Sequence, residues 1–433
     1  MKFPSRQSQM PIRRRLWRAG SLLALFISTF LVGNFFLPQD EKVTAKMLGH
    51  DFLVFYTAGT MARTGHFNEL YDLTTINARE SAIGQAAGLN IGKSYGPWWN
   101  PPPIAWFFAP FSLLPFLTAL KIWMALSGAA LLASIILLVR MLPPPATWRN
   151  WALVPLLMFA AAPFWGVVTH GQNTFLSLLL LSGAVTFWRK RNGLAAGAML
   201  GLLMYKPQIA MVAGLVLVAD LGLPAIIGLG AVGLLLLVIT ITTMPGVLGD
   251  YLDKLPKILA VTQEGHQYFW GRHLTLKAFW RLLFQGTATG KMLWTATLAW
   301  WLSESIVAII LARAVWLARK DRSRTDLMIA CAIVATPLLV PFYFDYDAAL
   351  LSVAAVLSAS YCLREGADAR LMWGWIVVFV MVMFSTPMTG YVNFNPSVPA
   401  LAGLMGILAA KAAAPSRCTE ERDSEPAVRA IAA

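Results

Sequence analysis

The sequence predicts an all-α integral membrane protein with about twelve transmembrane helices and two long extracytoplasmic loops. Three observations predict it. Of 433 residues, 58% are hydrophobic and only 13% charged, with a mean hydropathy of +0.62, a balance foreign to water-soluble domains of this length. The apolar residues gather into runs long enough to cross a hydrocarbon core of ~30 Å. The 35 Lys and Arg exceed the 21 Asp and Glu to give a net charge of +14, yet they punctuate the apolar runs instead of forming the folded basic face that nucleic acid requires.

The N-terminus carries Lys2, Arg6, Arg13, Arg14, Arg15 and Arg18 with no acid before Asp40, which marks residues 1–15 as a basic cytoplasmic segment and 16–37 as the first span. A cleaved leader is the competing reading, because Val43-Thr44-Ala45 loosely matches a small-x-small site; the run is long enough to span, and the site lies well beyond it. Further spans fall at 117–140, 151–168, 173–188, 193–205, 207–220, 223–243, 293–318, 326–342, 347–363, 371–388 and 397–412. Basic clusters at Arg189-Lys190-Arg191, at Arg319-Lys320 with Arg322 and Arg324, and at Arg364 with Arg370 set the cytoplasmic turns. The membrane domain therefore covers 16–412. Both termini are cytoplasmic, and 413–433 is a flexible tail.

The Lys206-Pro207 pair splits 193–219 into two short helices. Segment 101–116 is apolar but studded with proline, which fits a re-entrant, interfacial or short spanning element. The outer loops are 38–100 and 245–292, and the first holds short helices near 50–64 and 73–87. Cysteines at 331, 362 and 418 are too scattered for a disulfide framework or a metal site. Walker A, HExxH and GxSxG patterns are missing.

Several polar positions stand out. Asp51, about a dozen residues after the first span, either caps the helix it precedes or acts as a general base at the membrane surface; Tyr56 follows it. Lys206 lies between apolar stretches, where an ammonium must snorkel, pair with an acid such as Asp345, or meet an anionic ligand. His170, Gln172 and Asn173 make a polar turn with Gly171, either a plain connector or a contact for sugar or phosphate. The turn Phe342 to Asp347, with Asp345 and Asp347, suits either an interface belt or the faces and hydroxyls of a sugar. Glu264, His266, Arg272, His273 and Lys277 lie in the second outer loop, where cations either steady a phosphate or touch acidic lipid.

In order, Asp51-Phe52 with Tyr56, Tyr71-Asp72, Asn100-Pro101-Pro102-Pro103, Gly171-Gln172-Asn173, Tyr205-Lys206-Pro207-Gln208 and Pro341 to Asp347 resemble glycosyltransferase family 87. This is a C-type family of polyprenol-dependent membrane enzymes, best known from alpha-1,2-mannosyltransferases. The resemblance spans roughly 16–410. It implies a C-type glycosyltransferase-like fold and transfer of a hexose from a polyprenyl monophosphate to a hydroxyl of a lipid-linked or envelope glycan acceptor. Transfer is extracytoplasmic and inverting, in a bacterial inner membrane, with Asp51 as general base. Lys206, His170, Gln172 and Asn173 are implied to hold donor phosphate and sugar, and His266, Arg272 and His273 to border the cavity. No nucleotide cofactor is implied, and a divalent metal stays open. Many relatives carry Trp and His ahead of a Tyr in the late outer turn, whereas this chain reads Tyr343-Phe344-Asp345-Tyr346-Asp347, which leaves mannose unassigned. A transporter or flippase and an envelope polymer ligase are the rivals from other classes.

Overall fold

The computed structural model describes residues 20–22, 25, 26, 29, 48–89, 96–144, 148–265 and 268–414. The expected first span, the basic segment before it, the tail beyond 414 and His266 lie outside the described residues, or nearly so. Every element among the described residues is helical, and one isolated bridge joins His273 to Phe344.

The stretch before the proline-rich segment forms α1 (His50–Arg63) and α2 (Leu73–Ala86), near their expected limits. The Asp72 carboxylate caps α2 by accepting from the Thr75 N–H. The proline-studded segment becomes α3 (Ile104–Phe108), which tightens into a 3-10 turn over Ala109–Leu113. It buries Phe108 and Phe111 against Phe52 and Phe55 of α1, so it serves as a packing partner for that helix. The bundle continues with α4 (Phe116–Met141), α5 (Trp148–Phe159), α6 (Ala162–His170), α7 (Thr174–Arg189) and α8 (Gly193–Leu202), then α9 (Pro207–Leu221) and α10 (Leu223–Thr243). The stretch after α10 holds α11 (Val247–Gly265) and α12 (Leu276–Gln285). Helices α13 (Trp294–Ala318), α14 (Thr325–Ala335), α15 (Leu351–Glu365), α16 (Ala369–Val392) and α17 (Ser397–Ala413) complete it.

Five helical stretches are long and apolar enough to cross a membrane: Phe116–Met141, Leu223–Thr243, Trp294–Ala318, Asp345–Glu365 and Ala369–Val392. Asn150–Phe159 and Ala162–His170, bent by 65° at the break, make a sixth if taken as one span. Thr174–Arg189, Gly193–Tyr205, Pro207–Leu221 and Ser397–Ala413 are apolar but shorter. One expectation is corrected. The apolar stretch 326–342 is not one long helix: α14 ends at Ala335, because Pro337 and Pro341 cannot continue it. Every residue of α14 from Asp326 to Ala335 is buried, which makes it the core of the bundle and not a lipid-facing rod.

Close backbone contact fixes the pairing of α8 with α10. A Cβ on Gly197 would stand 2.4 Å from the Ala225 carbonyl oxygen, and one on Gly228 2.2 Å from that of Leu194. Only glycine permits this approach, as in small-residue interfaces of membrane helices. At one end of the bundle Asp326 accepts from Arg189 (2.9 Å) and Arg364 (2.7 Å), while Asp220 meets Arg191 at 2.6 Å. The basic clusters thus converge there. The sixteen residues of α7 carry the chain about 24 Å from Arg189 back to Thr174, where the polar turns meet.

Candidate active site

Helix α1 starts at His50, two residues earlier than an Asp51 cap would require. Gly49, at φ 76°, is the residue before it, and no side chain caps this end. Its N–H donates to the Thr169 carbonyl at 2.9 Å. A Cβ on Gly171 would lie 2.9 Å from Gly49 Cα, so two left-handed glycines let the start of α1 sit directly on the end of α6. Trp123 Nε1 donates to the Gly171 carbonyl at 2.8 Å and stacks on Phe52 with ring centroids 5.8 Å apart.

Freed from capping, the Asp51 carboxylate is held from two sides. His50 Nδ1 stands 3.0 Å from Oδ1, and Gln172 Nε2 donates to Oδ2 at 2.6 Å. Its side chain is 22% exposed. Burial works against the charge, but the His50 hydrogen bond, the nearby His170 and Gln172 together hold the carboxyl well below the usual range. Gln172 Nε2 also donates to the Tyr346 hydroxyl at 3.1 Å. The His170 ring lies 5.7 Å from that of Tyr346, with Nδ1 2.9 Å from the Gly166 carbonyl.

Tyr346 is the hinge of the cluster; sequence reasoning read its turn as an interface belt or a sugar contact but did not single out this ring. Its ring stacks on Phe344 at 5.3 Å and has Lys206 Nζ at 5.5 Å and the Arg272 guanidinium at 5.7 Å. Arg272 grips Asp345 with two parallel bonds, Nε to Oδ2 and Nη2 to Oδ1, each 2.9 Å. Lys206 follows a 3-10 turn and precedes Pro207 at the start of α9. Its ammonium pairs with Asp347 Oδ1 at 2.8 Å and reaches Thr174 Oγ1 at 3.2 Å. Its acid is therefore Asp347 and not Asp345, because the 3-10 turn over Asp345–Leu350 sends these two carboxylates to different neighbours. The pair is buried, 9% and 5% exposed, whereas Arg272 keeps 25% of its side chain accessible.

Other expected site residues stand apart. The Tyr56 hydroxyl donates to the Leu114 carbonyl at 2.8 Å and fastens α1 to the segment after α3. Asn173 is buried, and its backbone carbonyl accepts from the Tyr205 hydroxyl at 3.1 Å. His273 is buried between Tyr268, whose hydroxyl is 2.9 Å from its Nε2, and Phe344. Burial and the neighbouring Arg272 and Lys277 push its imidazole down to about 3. Its ring packs among those of Tyr268, Phe342 and Phe344. His50 was visible beside Asp51, but its hydrogen bond to that carboxylate has no sequence signature. Among the described residues no group of three or more His, Cys, Asp or Glu is placed to hold a metal ion.

A helical membrane protein whose broken helices and connecting segments bring a polarised carboxylate into one cluster with an accessible guanidinium has the parts of a group-transfer enzyme. The chain belongs to glycosyltransferase family 87, whose sequence model matches residues 98–341, more than half its length. Gln172, Lys206 and Arg272 fall within the match, while Asp51 and the Asp345–Asp347 turn lie outside it. Comparison with curated proteins and with solved structures returns no match.

Proposed function

We propose that this glycosyltransferase moves a hexose from a polyprenyl-phosphate donor to a hydroxyl of a lipid-linked or envelope glycan acceptor, with inversion at the anomeric carbon. The observation that carries the reading is the Asp51 carboxylate, presented between His50 and Gln172 in the same cluster as Arg272. In the step envisaged, the acceptor oxygen attacks the anomeric carbon and its proton passes to Asp51. The bond from that carbon to the phosphate oxygen breaks, and a polyprenyl phosphate monoester leaves. Arg272 is the cation with surface to meet that phosphate. Lys206, buried on Asp347, instead fixes the Tyr346 ring from behind.

The same reading puts the site on the extracytoplasmic face of a bacterial inner membrane. It takes the five or six long helices, the four shorter apolar ones, the 326–342 stretch and the expected first span at 16–37 together as about twelve crossings, and it keeps both termini in the cytoplasm with the basic clusters. The test is transfer of radiolabelled hexose from a panel of synthetic polyprenyl-phosphate sugars to membrane lipid extract by purified protein. Label in a new glycolipid with wild type, reduced about 10²–10⁴-fold by Asp51→Asn, is expected of a lost general base. Near-normal transfer by that variant would sink the base assignment. No transfer from any donor by folded protein would shift the reading to a transporter or polymer ligase.

A further inference from the structure

Glu80 sits midway along α2 with 1% of its surface accessible. Its Oε2 accepts one hydrogen bond, from the Gly96 N–H at 3.1 Å, and its Oε1 has no partner. Among the described residues it makes no ion pair, and its neighbour Arg79 is engaged with Glu69 at 2.8 Å. A bare carboxylate with a single donor in so dry a place is strongly disfavoured, so the neutral acid is the stable form. Burial is the largest influence and pushes the acid up to about 8. Two ionisable groups act on it from α1: His50 pulls it down, and the charge on Asp51 pushes it up. The packed segment 96–100 adds the Gly96 N–H and no charged side chain.

That segment straps the outer loop together. Gly96 lies so near α1 that a Cβ there would stand 2.6 Å from Val54 Cγ2. Trp98 sets its ring edge-on to Phe55 at 6.3 Å, and the Tyr71 hydroxyl donates to the Asn100 carbonyl at 2.7 Å. The strap thus bears on the helix that presents His50 and Asp51. We propose that Glu80 is a positioning residue that carries a proton in the working enzyme, that its neutral carboxyl keeps the 96–100 strap seated on α1, and that its ionisation in mild alkali switches transfer off. The proton leaves to solvent. The resulting charge must draw in water, which parts the strap from α1, and it adds a second negative charge beside Asp51, where an anionic donor has to bind.

The consequence for transfer rests on the Asp51 reading above, so two measurements on the purified full-length protein are paired. In the first, the pH profile of transfer is compared for wild type and Glu80→Gln, whose amide is permanently neutral. Wild type should lose about tenfold per pH unit beyond mild alkali, the slope of one ionisation, while Glu80→Gln keeps the neutral rate and extends its plateau upward. An unchanged alkaline limb in Glu80→Gln, or loss of neutral-pH transfer by folded Glu80→Gln, overturns the proposal. The second needs no turnover: wild-type minus Glu80→Gln infrared difference spectra should show a carboxylic acid carbonyl band at neutral pH that disappears in mild alkali. Its absence at neutral pH overturns the proposal. Its presence in a wild type that transfers no sugar leaves the proton on Glu80 and overturns the Asp51 reading together with the transfer switch.

Discussion

Gln172 Nε2 stands 2.6 Å from Asp51 Oδ2, and the same nitrogen lies 3.1 Å from the Tyr346 hydroxyl. One carboxamide therefore spends both its hydrogens, one on the carboxylate and one on the aromatic turn. It ties three segments distant in sequence: the start of α1, the turn after α6 and the approach to α15. The Tyr346 hydroxyl accepts from Gln172.

Two substitutions at Gln172 separate orientation from charge. Gln172→Ala leaves Asp51 with His50 alone and should lower kcat about 10-fold to 100-fold, within what a misplaced base loses. Gln172→Glu puts a second carboxylate against the first, and two such groups cannot both ionise at contact distance. The pair then shares a proton at neutral pH, so transfer should fall below that of Gln172→Ala and recover as pH rises. A Gln172→Glu profile parallel to wild type would show that Asp51 is not the base.

Arg272 supplies a bidentate, stacked contact that lysine cannot copy. Arg272→Lys should raise KM for the donor about tenfold, the cost of one good charge-assisted hydrogen bond, while kcat changes less. Steady-state kinetics with varied donor read this directly. A loss confined to kcat would place the guanidinium on the transition state alone.

The buried imidazole of His273 gives a stability prediction with a definite sign. Its folded value is pushed from 6.5 down to about 3, so between those limits the unfolded chain binds a proton that the folded one does not, and stability rises with pH. The contribution is complete above about pH 6.5 and is lost as pH falls; at pH 5 the deficit is about 2 kcal/mol. Asp51 adds almost nothing between about pH 5 and pH 7.5, because an ordinary aspartate, at 3.8, is already charged there and its folded carboxyl is held lower still. Glu80, pushed from 4.5 up to about 8, acts with the opposite sign over the same range. Thermal unfolding at about pH 5 and pH 7.5 is therefore compared in Glu80→Gln alone and in Glu80→Gln with His273→Gln: the drop at about pH 5 in the first should shrink in the second. Equal drops would assign the acid sensitivity elsewhere.

What the sequence made legible follows physical lines. Apolar stretches closed by glycine, such as the one from 207 ended by Gly222, or capped by an acid, such as 73–87 behind Asp72, carry their boundaries locally. The 326–342 stretch misled, since hydropathy does not separate a helix buried in protein from one facing lipid, and only Pro337 hinted at the stop. Lys206 was singled out because a charge between apolar stretches is costly, and Asp51 because it opens the first loop near the membrane surface and matches the family's acid. Their partners were not legible: Gln172 lies 121 residues from Asp51, and the choice of Asp347 over Asp345 depends on how a 3-10 turn rotates two acids two positions apart. Glu80 escaped notice because an acid in a polar helix is ordinary until Gly96 closes over it.

The Lys206–Asp347 pair distinguishes a binding role for the lysine from a structural one. With both side chains under a tenth exposed, removing one partner strands the other charge, at about 3–5 kcal/mol in comparable buried pairs. Lys206→Met and Asp347→Leu should each lower the unfolding temperature sharply. Combined, they should recover most of the loss, since replacing both charges by apolar groups is near neutral. Activity then decides the role. A stable double variant that still transfers sugar, with donor KM unchanged, marks the pair as a brace for Tyr346. A stable double variant with greatly raised donor KM would instead put the Lys206 ammonium on the donor, against the burial that assigns that contact to Arg272.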